Sequence, residues 1–219
     1  MRIRKAGEII PEILDVDFSK RPEGTSPYML PTQCPVCGAT TVKDEDGAFL
    51  RCTGAECPAQ LSRNIAHFVS RDAMDIEGFS EKTAEQFYNE IGLRTLVDLM
   101  NLKPEDMFGL EGFGDKKISN LISSIEKSKK TTADRFLYAL GVDGIGKKTA
   151  KDLIKRFRTL KNLAEATEDE LSSVDGIGGM LANNIVDYFS DEGNRKLIAD
   201  LLESGIILEE NEEIDGALK

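Results

Sequence analysis

The chain of 219 residues is long enough to bury a hydrophobic core and to hold one sizeable domain with one or two small ones. Its hydrophobic content of 40% and charged content of 31% are those of a globular protein and exclude a disordered or membrane-spanning chain. The first residues lack the apolar run of a secretory signal, so we expect a cytoplasmic protein.

The net charge of -11 argues against a nucleic-acid partner, because duplex binding needs a local positive field. The charge is unevenly distributed along the chain. Residues 203–219 are acidic, whereas residues 116–130 and 147–158 are rich in lysine and arginine. The basic stretches keep nucleic-acid binding possible, and the acidic end keeps a protein-interaction platform as a further alternative.

The first eighteen residues alternate apolar and polar side chains around a turn at Gly7, which predicts two short strands. Two strands are marginal alone in water, so we expect them to belong to a sheet whose remainder is missing. The stretch from Lys20 to Pro31 contains four prolines or glycines spaced along it and has the composition of a linker. A new unit is therefore expected to begin at Thr32.

The four cysteines form two close pairs, Cys34-x2-Cys37 and Cys52-x4-Cys57. Strand-like residues 40–43 and 48–51, joined by a turn at Asp46-Gly47, would bring the pairs together. Four thiolates suit a structural zinc ion and leave no position for a catalytic water. Two disulfides are the alternative, which is typical of secreted mini-proteins. We predict zinc, and we expect the single histidine, His67, to be a packed or surface residue of a helix instead of a metal ligand.

From Pro58 onward, apolar residues lie three or four apart, which predicts helices. Within this region a motif of the form apolar-x-Gly-apolar-Gly recurs four times. Its first glycines are Gly78, Gly112, Gly144 and Gly176. The last position is Ser80 in the first copy and glycine in the other three. An amphipathic segment follows each copy, so the pattern predicts four helix-hairpin-helix elements.

Paired glycines between two helices have a physical use. Glycine lets a ligand approach the main chain closely, and the free N–H groups at the start of the second helix favour a phosphate oxygen. Such a device grips a nucleic-acid backbone without reading bases. The predicted DNA contacts are Gly78, Gly112, Gly114, Lys116, Lys117, Gly144, Gly146, Lys147, Lys148, Gly176 and Gly178. The alternative for each copy is a turn that serves helix packing alone.

This order of features resembles bacterial NAD-dependent DNA ligase over about residues 1–206. The features are the strand Arg4–Pro11, the four-cysteine module, Cys57-Pro58-Ala59-Gln60, His67-Phe68-Val69-Ser70-Arg71, Met74-Asp75-Ile76 and the four hairpins. The resemblance implies a mainly α fold: the end of an oligonucleotide-binding (OB) barrel and linker in residues 1–30, a zinc finger in 31–62, the helix-hairpin-helix domain in 63–206, and an acidic tail or linker toward a BRCT domain in 207–219.

The resemblance also implies a function. Members of this family join nicked double-stranded DNA with an adenylated lysine, NAD and Mg²⁺. The sequence has no Lys-x-Asp-Gly nucleophile motif, since Lys43–Gly47 is one residue too long. We therefore expect a monomer that has no ligase activity by itself and that binds nicked DNA while the missing adenylation domain seals the nick. Its other partners would be the OB and BRCT domains, without a membrane. A non-ligase scaffold of a repair complex is the alternative.

Overall fold

The structure is a computed structural model that describes residues 1–7, 10–43, 49–54 and 57–209. It divides the chain into two compact units. The smaller unit contains the first four strands, and the larger unit contains the helices. Among the described residues, no helix is both long enough and apolar enough to cross a membrane.

The two predicted N-terminal strands form an antiparallel hairpin of β1 (Arg2–Ala6) and β2 (Ile10–Asp15). Ion pairs on its surface link Arg2 to Asp15 and Arg4 to Glu12. The apolar side chains of this hairpin stay exposed, with Ile3 and Ile13 each 58% accessible. This exposure is what a two-stranded sheet without a covering layer produces. A short 3-10 turn at Phe18–Lys20 follows.

The second hairpin pairs β3 (Thr41–Lys43) with β4 (Leu50–Cys52) in antiparallel register, as the sequence predicted. A bridge between Gln33 and Thr40 extends it toward the first cysteine pair. The predicted Asp46-Gly47 turn lies outside the described residues.

The larger unit is mainly helical, which confirms the predicted fold class. Its helices within the described residues are α1 (Pro58–Phe68), α2 (Glu81–Glu90), α3 (Leu96–Met100), α4 (Asp115–Ser128), α5 (Ala133–Ala139), α6 (Lys147–Phe157), α7 (Leu160–Ala164), α8 (Glu168–Ser172), α9 (Gly179–Ser190) and α10 (Glu192–Glu203). A 3-10 turn at Pro104–Met107 precedes α4.

One continuous hydrophobic core runs through the helical unit from Ile65 to Ile206. Phe68, Phe87 and Phe136 are fully buried in it. Amphipathic periodicity explains this core, because each long helix turns one apolar stripe inward. The helices pack in consecutive pairs: α1 on α2, α5 on α6, and α8 on α9.

A short parallel pairing joins β5 (Lys130–Thr132) to β6 (Ile207–Glu209). This pairing carries regular structure to Glu209, three residues beyond the predicted end of the helix-hairpin-helix region. The remainder of the predicted acidic tail, residues 210–219, lies outside the described residues. Sequence patterning could not show this pairing because its two three-residue strands lie far apart in the chain.

Candidate zinc centre and nucleic-acid interface

The four cysteines meet at one point of the structure. The sulfur atoms of Cys34, Cys37, Cys52 and Cys57 all lie within 4.8 Å of one another. A tetrahedral zinc ion with bonds of about 2.3 Å would hold them about 3.8 Å apart, so the cluster fits the ion. Cys57 is 1% exposed and Cys34 is 8% exposed. The ligand set is complete without histidine or water, as a structural zinc site requires.

Local structure explains how each cysteine reaches the cluster. Gly38 follows the first pair with a φ of +74°, and this left-handed turn lets the chain reverse directly after Cys37. Cys52 ends strand β4. Cys57 is the N-cap of α1, where Pro58 suits the first helical turn. The turn that contains Cys34 and Cys37, the end of β4 and the start of α1 therefore supply the four thiolates.

His67 takes no part in this cluster. Its Nε2 lies 2.7 Å from the carbonyl oxygen of Tyr138, and its ring meets the Tyr138 ring edge-on. The histidine thus joins α1 to α5, so of the two predicted places on the helix, packed or at the surface, it takes the packed one.

The four glycine motifs share one backbone geometry. Their first glycines, Gly78, Gly112, Gly144 and Gly176, have φ values of +81°, +77°, +82° and +81°. In the last three copies an i→i+3 hydrogen bond closes the turn, at 3.0 to 3.1 Å from the amide of Phe113, Ile145 or Ile177. A positive φ at the third residue defines a type II turn, which strongly favours glycine there.

The apolar residue between the two small residues is buried in every copy. Phe79, Phe113, Ile145 and Ile177 are each between 6% and 9% exposed. The flanking glycines are exposed at the surface. In each hairpin one buried side chain therefore packs into the core while the neighbouring glycines lie at the surface.

The last residue of each motif is the N-cap of the following helix. Ser80, Gly114, Gly146 and Gly178 begin α2, α4, α6 and α9. No side chain among the described residues caps the three glycine starts, whereas the Ser80 hydroxyl accepts from the Thr83 amide at 3.2 Å. In α6 the first helical bond runs from the Ala150 amide, so the amides before it are available to an external acceptor.

Counting from the N-caps adds one cation, Lys82, to the predicted DNA contacts. The second helical residue is Lys82 in the first copy, Lys116 in the second and Lys148 in the third, and all three are exposed. The fourth copy has Met180 there, 81% exposed. The alignment of Ser80 with the glycines already places Lys82 at this position in the sequence, but the glutamate before it obscured the signal.

The other two predicted lysines make contacts within the protein. The Lys117 ammonium lies 3.7 Å from the centre of the Phe113 ring. Lys147 donates to the Asp72 carboxylate at 2.5 Å. That contact, with the charges of Lys147, Arg135 and Arg71, lowers the pKa of Asp72 below its ordinary value.

Consecutive hairpins pack together in two pairs. The rings of Phe79 and Phe113, from the first two hairpins, both contact the Phe87 ring, with centroids 5.4 and 5.1 Å away. In the second pair, a Cβ placed on Gly144 would lie 2.8 Å from the Leu181 side chain of α9. Gly144, predicted as a DNA contact, therefore has a packing role of its own.

We expect Gly144→Ala to lower the free energy of unfolding by about 1–2 kcal/mol, because it forces alanine into a left-handed conformation and against Leu181. Gly112→Ala is the matched control, since Gly112 has nearly the same φ and no atom within 4 Å of its Cβ position. Urea unfolding measures both. Equal losses of stability in the two variants would show that the Leu181 side chain moves aside at no cost in free energy.

Comparison with known proteins agrees with this geometry. Residues 33–59 match the NAD-dependent DNA ligase C4 zinc finger domain. Residues 70–127 match a SAM-like helix-hairpin-helix tandem, and residues 135–198 match the helix-hairpin-helix motif. The zinc-finger match links this part of the chain to NAD-dependent DNA ligases. The two helical matches coincide with the two hairpin pairs, and such motifs imply DNA binding.

Individual relatives show the same likeness. The DNA ligase of Myxococcus xanthus is 53% identical over 140 residues, which are 64% of this chain and 21% of that relative. The DNA ligases of Caldicellulosiruptor saccharolyticus and Bacillus cereus are 47% and 42% identical, with the same coverage. The matched region thus spans about a fifth of the length of these curated relatives.

Proposed function

We propose that this chain holds nicked double-stranded DNA by its phosphate backbone, as the non-catalytic part of a ligase that acts in the bacterial cytoplasm. In the whole enzyme, an adenylation domain would use NAD and Mg²⁺ to activate the 5′-phosphate at the nick. The OB and BRCT domains would be the other covalently linked partners. The chain itself would grip the duplex without joining its strands.

One observation carries this proposal: the four helix starts are built alike, and three of them present a lysine at the same position. The exposed glycines leave the main-chain amides open, and the helix dipole adds partial positive charge at each start. Lys82, Lys116 and Lys148 add full charges beside those amides. A packing role explains the buried apolar residues but gives no reason for this placement of cations.

The geometry also answers the objection raised by the net charge of -11. A phosphate backbone responds to the local field within about 10 Å at ordinary salt concentrations, because more distant charges are screened. In α6 no acidic residue stands in the first turn, which contains Lys147 and Lys148. The start of α6 can therefore attract phosphates on an acidic protein.

The test is a salt titration of binding to nicked duplex, intact duplex and single-stranded DNA. We expect duplex affinity to fall steeply with salt and to be independent of base sequence. A chain with no duplex affinity at any salt concentration would contradict the proposal and favour a protein-interaction platform.

Two lysines of the same helix provide a sharper measurement. Lys116→Ala should reduce the slope of log affinity against log salt by about 0.9, the value for one lost phosphate contact. Lys127→Ala removes the same charge eleven residues later, about 16 Å along α4 from the hairpin. The slope should stay near that of the parent for Lys127→Ala. Equal changes in both variants would indicate a general charge effect instead of a contact.

A further inference from the structure

The loop Arg71–Asp75, between α1 and the first hairpin, places an acidic side chain at the start of the third hairpin's helix. Asp72 accepts a hydrogen bond from the Lys147 ammonium at 2.5 Å, although 75 residues separate them in the chain. Lys147 is the first residue of α6, directly after the uncapped Gly146. The Asp72 carboxylate is therefore already paired with Lys147, one of the lysines that the sequence predicted to contact a DNA phosphate.

Contacts of the main chain on either side of Asp72 hold this residue in place. Arg135 of α5 donates to the carbonyl oxygen of Arg71 at 2.7 Å and to that of Ala73 at 3.0 Å. Ala73 is fully buried. The loop is thus tied to α5 through its main chain on both sides of Asp72, so the carboxylate is held in place near Lys147.

The Asp72–Lys147 contact also has the right chemistry to compete with a nucleic-acid backbone. A carboxylate and a phosphate oxygen are both anionic acceptors for an ammonium group. An aspartate is ionised at neutral pH, and the contact with Lys147 lowers the pKa of Asp72 further, so both partners are charged there. Both side chains are more than half exposed, at 66% for Lys147 and 55% for Asp72, so a phosphate can reach the Lys147 ammonium.

We propose that Asp72 is an intramolecular stand-in for phosphate, which neutralises Lys147 and thereby limits how tightly the third hairpin binds duplex DNA. The proposal rests on the proposed function, since it concerns the strength of the same DNA contact. Lys148, Lys116 and Lys82 then supply the ionic contacts, while Lys147 contributes little counterion release in the parent chain.

The test compares Asp72→Asn with Asp75→Asn in salt-titrated binding to nicked duplex. Asp75 lies in the same loop and carries the same charge, but it approaches Arg135, at 4.0 Å, and not Lys147. Asp72→Asn should bind roughly three- to ten-fold more tightly at low salt, and its slope should steepen by about 0.9 because Lys147 becomes available. Asp75→Asn should leave the slope unchanged. In the Lys147→Ala background, Asp72→Asn should also leave the slope unchanged.

Several outcomes would overturn the proposal. Folded Asp72→Asn protein with the parent's affinity and slope would show that Asp72 does not compete with phosphate for Lys147. Weaker binding by this variant would show that Asp72 instead holds the third hairpin in the shape that binds DNA. The same gain and slope in Asp75→Asn would indicate net charge alone. Asp72→Ser repeats the test should the asparagine variant lose helical content. Parent protein that fails to bind duplex refutes the proposed function itself, whereas parent binding without an Asp72 effect refutes only this inference.

Discussion

Replacing Gly146 by valine should weaken binding to every duplex by about ten- to a hundred-fold, the value of one or two lost hydrogen bonds to a charged group. The branched side chain would occupy the space through which a phosphate approaches the first amides of α6. Nothing lies within 4 Å of the Cβ position, and the φ of -83° is open to valine, so the protein can accommodate the change. Fluorescence anisotropy with duplexes of different sequence measures the loss.

Two variants control for folding effects. Thr159→Val removes the cap of α7, at a cost of about 1 kcal/mol similar to that of a poor N-cap at Gly146. It should leave DNA affinity unchanged. Gly146→Ser copies the residue that the first hairpin carries at Ser80 and should retain most binding. Folded Gly146→Val protein that binds nicked duplex as tightly as the parent would support a packing role alone.

Loss of zinc should unfold the finger and leave the helices intact. Among the described residues before Gly54, Cys34 is the single buried side chain, so the finger has no hydrophobic core to replace the metal. Zinc binding to such modules contributes about 10 kcal/mol or more at neutral pH, far above the stability of two short strands. The helical core begins at Ile65, so we expect it to remain folded when the finger unfolds.

Cys37→Ser tests this expectation, because Cys37 is exposed and its replacement leaves no cavity. The parent should carry one zinc ion per chain, whereas the variant should lose it and exchange its finger amides rapidly, with helical circular dichroism preserved. Val36→Ser changes an exposed neighbour that is not a ligand and should keep the metal. Freshly purified protein without zinc and with disulfide-linked cysteines would contradict the assignment.

Short sequence patterns were enough to predict the parts of the fold that depend on local chemistry. Cysteine spacing indicated the zinc ligands, because two close pairs can supply four thiolates to one ion. Apolar periodicity indicated the helices, and recurring glycines located all four hairpins. Each of these signals is built from short motifs of a few residues, in which backbone geometry and side-chain type decide the local structure almost alone.

Tertiary structure decided what depends on residues distant in the chain. The pairing of β5 with β6, the contact of Gly144 with Leu181 and the ion pair of Asp72 with Lys147 each join segments that no local pattern connects. Lysines that look alike in the sequence therefore differ in the fold: Lys148 stays exposed beside an open helix start, whereas Lys147 already has an acidic partner. The physical reason is that charge and packing act through space, and only the folded chain brings these groups together.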